Sequence, residues 1–459
     1  MFDTTDDGLV YFNNAGQAPL APDVQNVGCE MVRTHPGMAH LKAQSAASRV
    51  RTLFSRLVEV LPTEKVGQTA SESTTVRKML GDHSLETEDS TIAIMPSTGF
   101  AVTLAARNIQ RLLLLKEKDA ENDTSSKKYR ILVLQDQFDS AIYPWQQICK
   151  ESDGKVRLDI VDKPTEYDGW TRSILEKLST SAAEGDGGDG GDPFLAVCLP
   201  PVHWSDGSLI DLKIIGQVCR KQKIPFIVDA TQAVGIMPIQ LYKIRPTMLM
   251  ASVHKWLRGP SGTCLVYIEP SVYDSWMPLD FHGRGRDFGM AGQSTWDASK
   301  NEMSPEGYPD TFYKDARKFD SGGKVNAILM PMLQASMEAV SKLDLKESQQ
   351  SLKALMEPLL NWVKKASKLQ EQGRYAVTPG PRAHHIIGLI PLDKTPTEMI
   401  QMSRRLQEEH GVVVAVRCGG FRISPYLNNT PDDVQKLIES LEEVGRHPFE
   451  DVVSSTVDL

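Results

Sequence analysis

The sequence predicts an α/β protein of two lobes, on three observations. Short apolar runs bounded by polar turns alternate with longer amphipathic stretches through the first three quarters of the chain, the pattern of a mostly parallel sheet covered by helices. After about residue 330 the texture changes to long helical patterns with few strands between them. A length of 459 residues, 41% of them hydrophobic, exceeds one ordinary domain and suffices for a sizeable core.

The strand candidates, in order, are residues 91–95, 130–134, 194–199, 225–228 and 262–268, and the segments between them, such as 212–221, have helical length and spacing. Two stretches read as surface insertions: 116–128, dense in charge and Ser, and 181–192, which ends in Gly187-Gly188-Asp189-Gly190-Gly191-Asp192. Neither buries enough apolar surface to offset its ordering entropy. Beyond them come helical patterns at 327–342 and 347–368, a strand at 385–389, a further helix, a strand near 412–416 and a final amphipathic helix at 431–444. The predicted division is an N-terminal segment 1–30 that contributes to the site, a large lobe 31–330 and a small α+β lobe 331–459.

A net charge of −8 and a sequence pI near 5.8 give no global attraction to nucleic acid or an anionic membrane, so the expected partners are small molecules or a second copy. The acidic start, Met1-Phe2-Asp3-Thr4-Thr5-Asp6-Asp7-Gly8, lacks the basic and apolar runs of a secretory signal, and no segment has the length of a membrane span. The expectation is a cytoplasmic protein. Six cysteines without CxxC spacing point to reduced thiols, mostly buried, and to neither a disulfide framework nor a zinc site.

The most informative stretch is 225–268. A buried strand delivers Asp229 at its C-terminal end, where open parallel sheets place ligand sites, although an acid there also reads as an ordinary helix cap. Gln232 follows, then Ser252-Val253-His254-Lys255-Trp256 and the turn Gly259-Pro260-Ser261-Gly262 before another strand. Upstream, Met95-Pro96-Ser97-Thr98-Gly99-Phe100 follows a strand and opens a helix. Hydroxyls and backbone N–H groups cradle a phosphate at such a place, and a Ser/Thr cap looks the same.

Taken together, these segments resemble the cofactor-binding core of class V aminotransferases and cysteine desulfurases. The resemblance implies a fold-type I enzyme carrying pyridoxal 5′-phosphate on Lys255 as a Schiff base, with Asp229 holding the pyridine nitrogen protonated. It places Gln232 on the ring's phenolic oxygen, Ser252 and His254 on the phosphate, and Ser97, Thr98 and Gly99 in the phosphate loop. In Gln135-Asp136-Gln137-Phe138, the residue that is histidine in desulfurases is Phe138, which retains ring stacking and loses proton relay. Trp145 reads as core. In Val202-His203-Trp204-Ser205, Trp204 stands where desulfurases have a cofactor-touching asparagine, and His203 reads as a satisfied core histidine before a catalytic one.

The two ends of the chain extend the likeness. Asn13-Asn14-Ala15-Gly16 resembles the family's opening turn, which implies that Asn14 and Gly16 bond a substrate carboxylate. Phe421-Arg422-Ile423-Ser424-Pro425 resembles the small-lobe motif whose arginine, here Arg422, grips that carboxylate with a bidentate fork. The stretch Asp320-Ser321-Gly322-Gly323-Lys324 matches the phosphate loop lent by the partner subunit, with Gly323 where a threonine is usual and Lys324 offering charge instead. A homodimer is implied. Arg284 and Arg286 stand level between reading a second carboxylate and being plain loop charges.

The reaction implied is chemistry at the α carbon of an amino acid through external aldimine and quinonoid intermediates. The Val202-His203-Trp204-Ser205 and Gly322-Gly323-Lys324 segments are more similar to the isopenicillin-epimerase-like branch than to desulfurases, which implies a lyase, epimerase or cyclising enzyme of specialised metabolism. The rivals are a true aminotransferase and a non-catalytic binding or regulatory protein on the same fold. Desulfuration is not expected, because Cys418 lies almost beside Arg422 and Phe138 cannot relay a proton.

Overall fold

The computed structural model describes residues 8–61, 88–119, 127–165, 169–180, 191–287, 296–297, 302–303, 311–366 and 375–446. Its first strands are β1 (Val10–Tyr11), β2 (Ile92–Met95), β3 (Tyr129–Leu134), β4 (Val156–Val161), β5 (Phe194–Leu199), β6 (Phe226–Asp229), β7 (Met248–Ser252) and β8 (Cys264–Ile268). All but β1 form a seven-stranded sheet in the order β2-β8-β7-β6-β5-β3-β4. Strand β8 runs antiparallel to both of its neighbours, and the remaining pairs are parallel.

The strands are apolar because both sheet faces are covered. Leu132 and Leu134 enter one core cluster and Ile131 and Val133 the other, as side-chain alternation requires. Two strands of this sheet were absent from the expected set. In β4, Val-Arg-Leu-Asp-Ile-Val, exposed positions interrupt the apolar run because it lies at the sheet edge. In β7, Met-Leu-Met-Ala-Ser, the β-branched residues that advertise a strand are missing. The helix Thr98–Asp119 also runs into the start of the expected 116–128 insertion. The rest of that insertion at 120–126, and 181–190 of the other, lie outside the described residues.

The short pair β9 (Trp296–Asp297) and β10 (Glu302–Met303) precedes the small lobe. There, β11 (Tyr375–Val377), β12 (Ile387–Pro391), β14 (Ala415–Arg417) and β15 (Gly420–Ile423) form an antiparallel sheet in the order β11-β12-β15-β14. Strand β13 (Val412–Val413) pairs instead with β1 at the chain's start, so Val10 and Phe12 join the small-lobe core. The helix Leu329–Val340 packs Met330, Leu333 and Met337 into the large-sheet core. In the next helix, Leu345–Ala366, Leu352 joins that same core while Met356, Leu359 and Val363 join the small-lobe one. That helix therefore bridges the two.

Among the described residues no helix is long and apolar enough to cross a membrane. The six cysteines are unpaired, but only Cys198, Cys219 and Cys264 are buried; Cys149 is intermediate, and Cys29 and Cys418 are exposed. That corrects the expectation of mostly buried thiols.

Candidate active site

The carboxyl ends of β6 and β7 lie side by side and are tied together. Asp229 ends β6, and its Oδ1 accepts the Thr231 N–H at 3.0 Å. The Thr231 hydroxyl in turn accepts the Ser252 N–H at 3.1 Å, at the end of β7. Lys255 follows one turn later, with Asp229, Thr231, Gln232, Ser252 and His254 beside it in the wall of a pocket of about 360 Å³. Lys255 is 8% exposed. Burial, only partly offset by the Asp229 carboxylate, brings its pKa down to about 8. Burial and the neighbouring Lys255 charge bring His254 down to about 4, so its ring is neutral near pH 7.

Ser97 and Thr98 line the pocket from the opening of the helix Thr98–Asp119. The Ser97 Oγ accepts the Phe100 N–H at 3.1 Å, so Ser97 caps the helix and faces the pocket at once. Gly99 faces a neighbouring cavity of about 330 Å³ instead, bordered by Thr103, Arg107 and Tyr143. Gln232 is engaged in the wall: its Nε2 donates to the Ala15 carbonyl at 3.0 Å and its Oε1 accepts the Trp256 indole N–H at 2.8 Å.

An aromatic side completes the pocket. The Phe138 ring centroid lies 5.0 Å from Lys255 Nζ and meets Trp204 edge-on at 5.4 Å. Trp204 is held by its indole N–H, which donates to the Asp136 carbonyl at 2.7 Å. His203 next to it is fully buried, with its ring nitrogens at 3.3 Å from the Gln135 carbonyl and 2.9 Å from the Ser205 hydroxyl, and it stacks on Trp170. Its place is the core, as is that of the fully buried Trp145.

The small lobe supplies Arg422 from β15. Its guanidinium donates to Asn13 Oδ1 at 3.1 Å and to the Trp204 carbonyl at 3.4 Å, while its Nε has no hydrogen-bond partner among the described residues. Burial, and next the charge of Arg417, lower its pKa to about 10. Asn13, not Asn14, is thus the asparagine on Arg422. The Asn14 amide donates to the Ser424 carbonyl at 3.0 Å and its Oδ1 accepts from Arg258 at 3.5 Å, anchoring the N-terminal segment. Gly16 lines the pocket, and a Cβ there would stand 2.7 Å from Asn13 Oδ1. Arg417 lines the pocket too, a place that no motif assigns it.

Besides Asn14 and Gly99, four more expected site residues do not line this chain's pocket. Gly323 and Lys324 follow Asp320, which Arg51 and the Ile94 N–H hold. Arg284 and Arg286 sit at the short turn Gly283–Gly285, with the Arg286 guanidinium 3.8 Å from the Phe312 ring centroid.

Residues 74–437 match the family model described as Aminotransferase class-V, which is most of the chain. The chain belongs to the class V aminotransferase family. Among curated relatives, an uncharacterized aminotransferase YcbU of Bacillus subtilis (strain 168) is 21% identical over 54% of this chain and 60% of its own length. Cysteine desulfurase IscS of Pasteurella multocida (strain Pm70) is 37% identical over 22% of this chain and 24% of its own. The chain therefore matches 60% and 24% of the lengths of these two relatives, under two thirds in each case. A solved structure of the C-DES mutant K223A, with glycine covalently linked to its PLP cofactor, superposes with a TM-score of 0.69. It is 13% identical and covers 95% of this chain and 97% of that one. The fold is the fold-type I arrangement of such enzymes.

Pyridoxal phosphate is the cofactor that class V membership brings to this chain, a family of enzymes that depend on it. The donor set fits: an amine of depressed pKa for the aldehyde, a carboxylate at a strand end for a ring nitrogen, an aromatic face beside the amine, and the hydroxyls of Ser97, Thr98 and Ser252 for a phosphate.

Proposed function

We propose that the protein is a pyridoxal-phosphate-dependent enzyme acting at the α carbon of an amino acid, and that it is a lyase or cyclising enzyme. The observation that carries the reading is the single pocket that joins Lys255, Asp229 and Arg422, from both lobes, around an amine whose pKa is about 8. When bound, pyridoxal phosphate supplies an electron sink that weakens one bond at the α carbon. Asp229 holds the proton on the ring nitrogen. Phe138 stacks on the ring, and Ser97, Thr98, Ser252 and His254 bind the phosphate end. Arg422, oriented by Asn13 and the Trp204 carbonyl, takes the α-carboxylate.

Lys255 then carries the proton taken from the α carbon. Among the described pocket residues it is the base poised near neutrality, because His254 sits near 4 and Phe138 cannot accept a proton. One proton carrier serves elimination and ring closure, and it serves epimerisation and transamination as well, so the reading as a lyase or cyclising enzyme rests on the likeness of the Val202-His203-Trp204-Ser205 and Gly322-Gly323-Lys324 segments. The loop with Gly323 and Lys324 lies outside this pocket, which supports its service to the partner's site in a homodimer.

The test is incubation of purified holoprotein with a panel of amino acids, with and without a keto acid, and identification of products by mass. Products of side-chain loss or cyclisation without a keto acid are expected, from a preparation that sediments as two chains. Turnover that requires a keto acid and returns the matching amino acid would make the protein an aminotransferase instead.

A further inference from the structure

Arg422 shares its wall of the pocket with a second guanidinium, Arg417. The two come from adjacent strands of one hairpin, in which Ala415 pairs with Arg422 and Arg417 with Gly420. That register puts Arg417 and Arg422 on the same face as diagonal neighbours, about 7–8 Å apart at the backbone. Gly420, opposite Arg417, has no side chain to occupy the space between them. Each charge acts on the site: Arg417 works against the charge on both Arg422 and Lys255.

Neither guanidinium is neutralised. Among the described residues no carboxylate lies within ion-pair distance of either. Among the described residues Arg417 donates to the carbonyl of its own neighbour Val416, at 2.7 Å. Arg422 is buried and Arg417 exposed, so water screens part of their repulsion, and a ligand with two acid groups relieves the rest. An amino acid's α-carboxylate accounts for one, at Arg422. The cofactor's phosphate does not account for the other, because the hydroxyls suited to it stand at Ser97, Thr98 and Ser252 on the large sheet and its helix, while both arginines stand on the small sheet. Arg284 and Arg286 lie outside the pocket.

We propose that Arg417 is a specificity-determining residue, and that the substrate is an amino acid with a second acid group on its side chain, bound with its α-carboxylate at Arg422 and its side-chain acid at Arg417. This rests on the reading of the pocket as an amino-acid site. A charge-assisted contact that an uncharged isostere lacks is worth about tenfold in affinity.

The experiment titrates the holoprotein with matched acid and amide pairs, followed by the change in the cofactor's near-visible absorbance. The pairs are L-aspartate with L-asparagine, L-glutamate with L-glutamine, and S-carboxymethyl-L-cysteine with its S-carbamoylmethyl counterpart. In at least one pair the acid binds about tenfold tighter. Arg417→Gln removes that ratio, Arg417→Lys keeps part of it, and Arg422→Gln weakens both members of the pair while preserving it. Equal affinities within every pair, or a ratio that persists in Arg417→Gln, overturn the proposal. Failure of the underlying reading looks different: the wild-type protein then has no cofactor absorbance to follow.

Discussion

Lys255 shows how one buried side chain sets a working pH. Taking an ammonium out of water costs free energy, and the nearby Asp229 carboxylate returns only part of it, so the amine loses its proton near pH 8, well below the ordinary lysine value of 10.5. Only the neutral amine attacks an aldehyde. The rate at which the apoprotein captures pyridoxal phosphate therefore rises with pH and levels off above about 8; stopped-flow absorbance reads it, and a midpoint near 10.5 would contradict it. At this scale Asp229, Lys255 and Arg422 were legible because each sits in a short segment whose neighbours constrain it. Asn13 and Arg417 were not. Choosing between Asn13 and Asn14 depends on which side chain the bridge from Asn13 to Ser424 turns toward Arg422, and that pairing spans 411 residues of chain between two segments with no local signal for it.

The hairpin of β14 and β15 shows what an element adds to its residues. Cys418 and Gly419 form its two-residue connection, with φ of 45° and 76°. Positive φ at both positions is the type I′ geometry that matches the twist of paired strands. Cys418 is therefore fixed on the tightest kind of turn, four positions from Arg422, and cannot swing as a thiolate on a long loop would. Desolvation, and next the Asp136 carboxylate, push its thiol up, so it stays protonated near pH 7. Cys418→Ser is expected to retain turnover, and mass spectrometry of wild-type protein incubated with cysteine to find no persulfide on Cys418. A persulfide there, with activity lost in the serine variant, would place the protein among desulfurases. The hairpin's register also explains why Arg417's place in the pocket was not legible: its face depends on a turn that only the folded element displays. Among the strands, the central β5 and β6 announced themselves by apolar runs, whereas edge strand β4 and methionine-rich β7 did not.

The whole molecule closes the site by joining parts that are far apart in the chain. The segment at Asn13 and Gly16, the loop at Ser97, the rings of Phe138 and Trp204, the ends of β6 and β7, and the hairpin of β14 and β15 meet in one pocket. Strand β1 makes this possible by pairing with β13, and the Ala18 N–H fixes the following turn by donating to the His254 carbonyl at 2.9 Å. No periodicity reveals contacts of that range, so the assembled site was legible only through the likeness of its separate motifs to one family. If the assembly is a cofactor site centred on Lys255, borohydride reduction of the holoprotein traps the cofactor on the chain. The decisive measurement is the mass of the reduced protein and of its peptides: one cofactor adduct per chain, on the peptide that contains Lys255, and none in Lys255→Ala. An adduct on another lysine, or an unchanged adduct in Lys255→Ala, would contradict it.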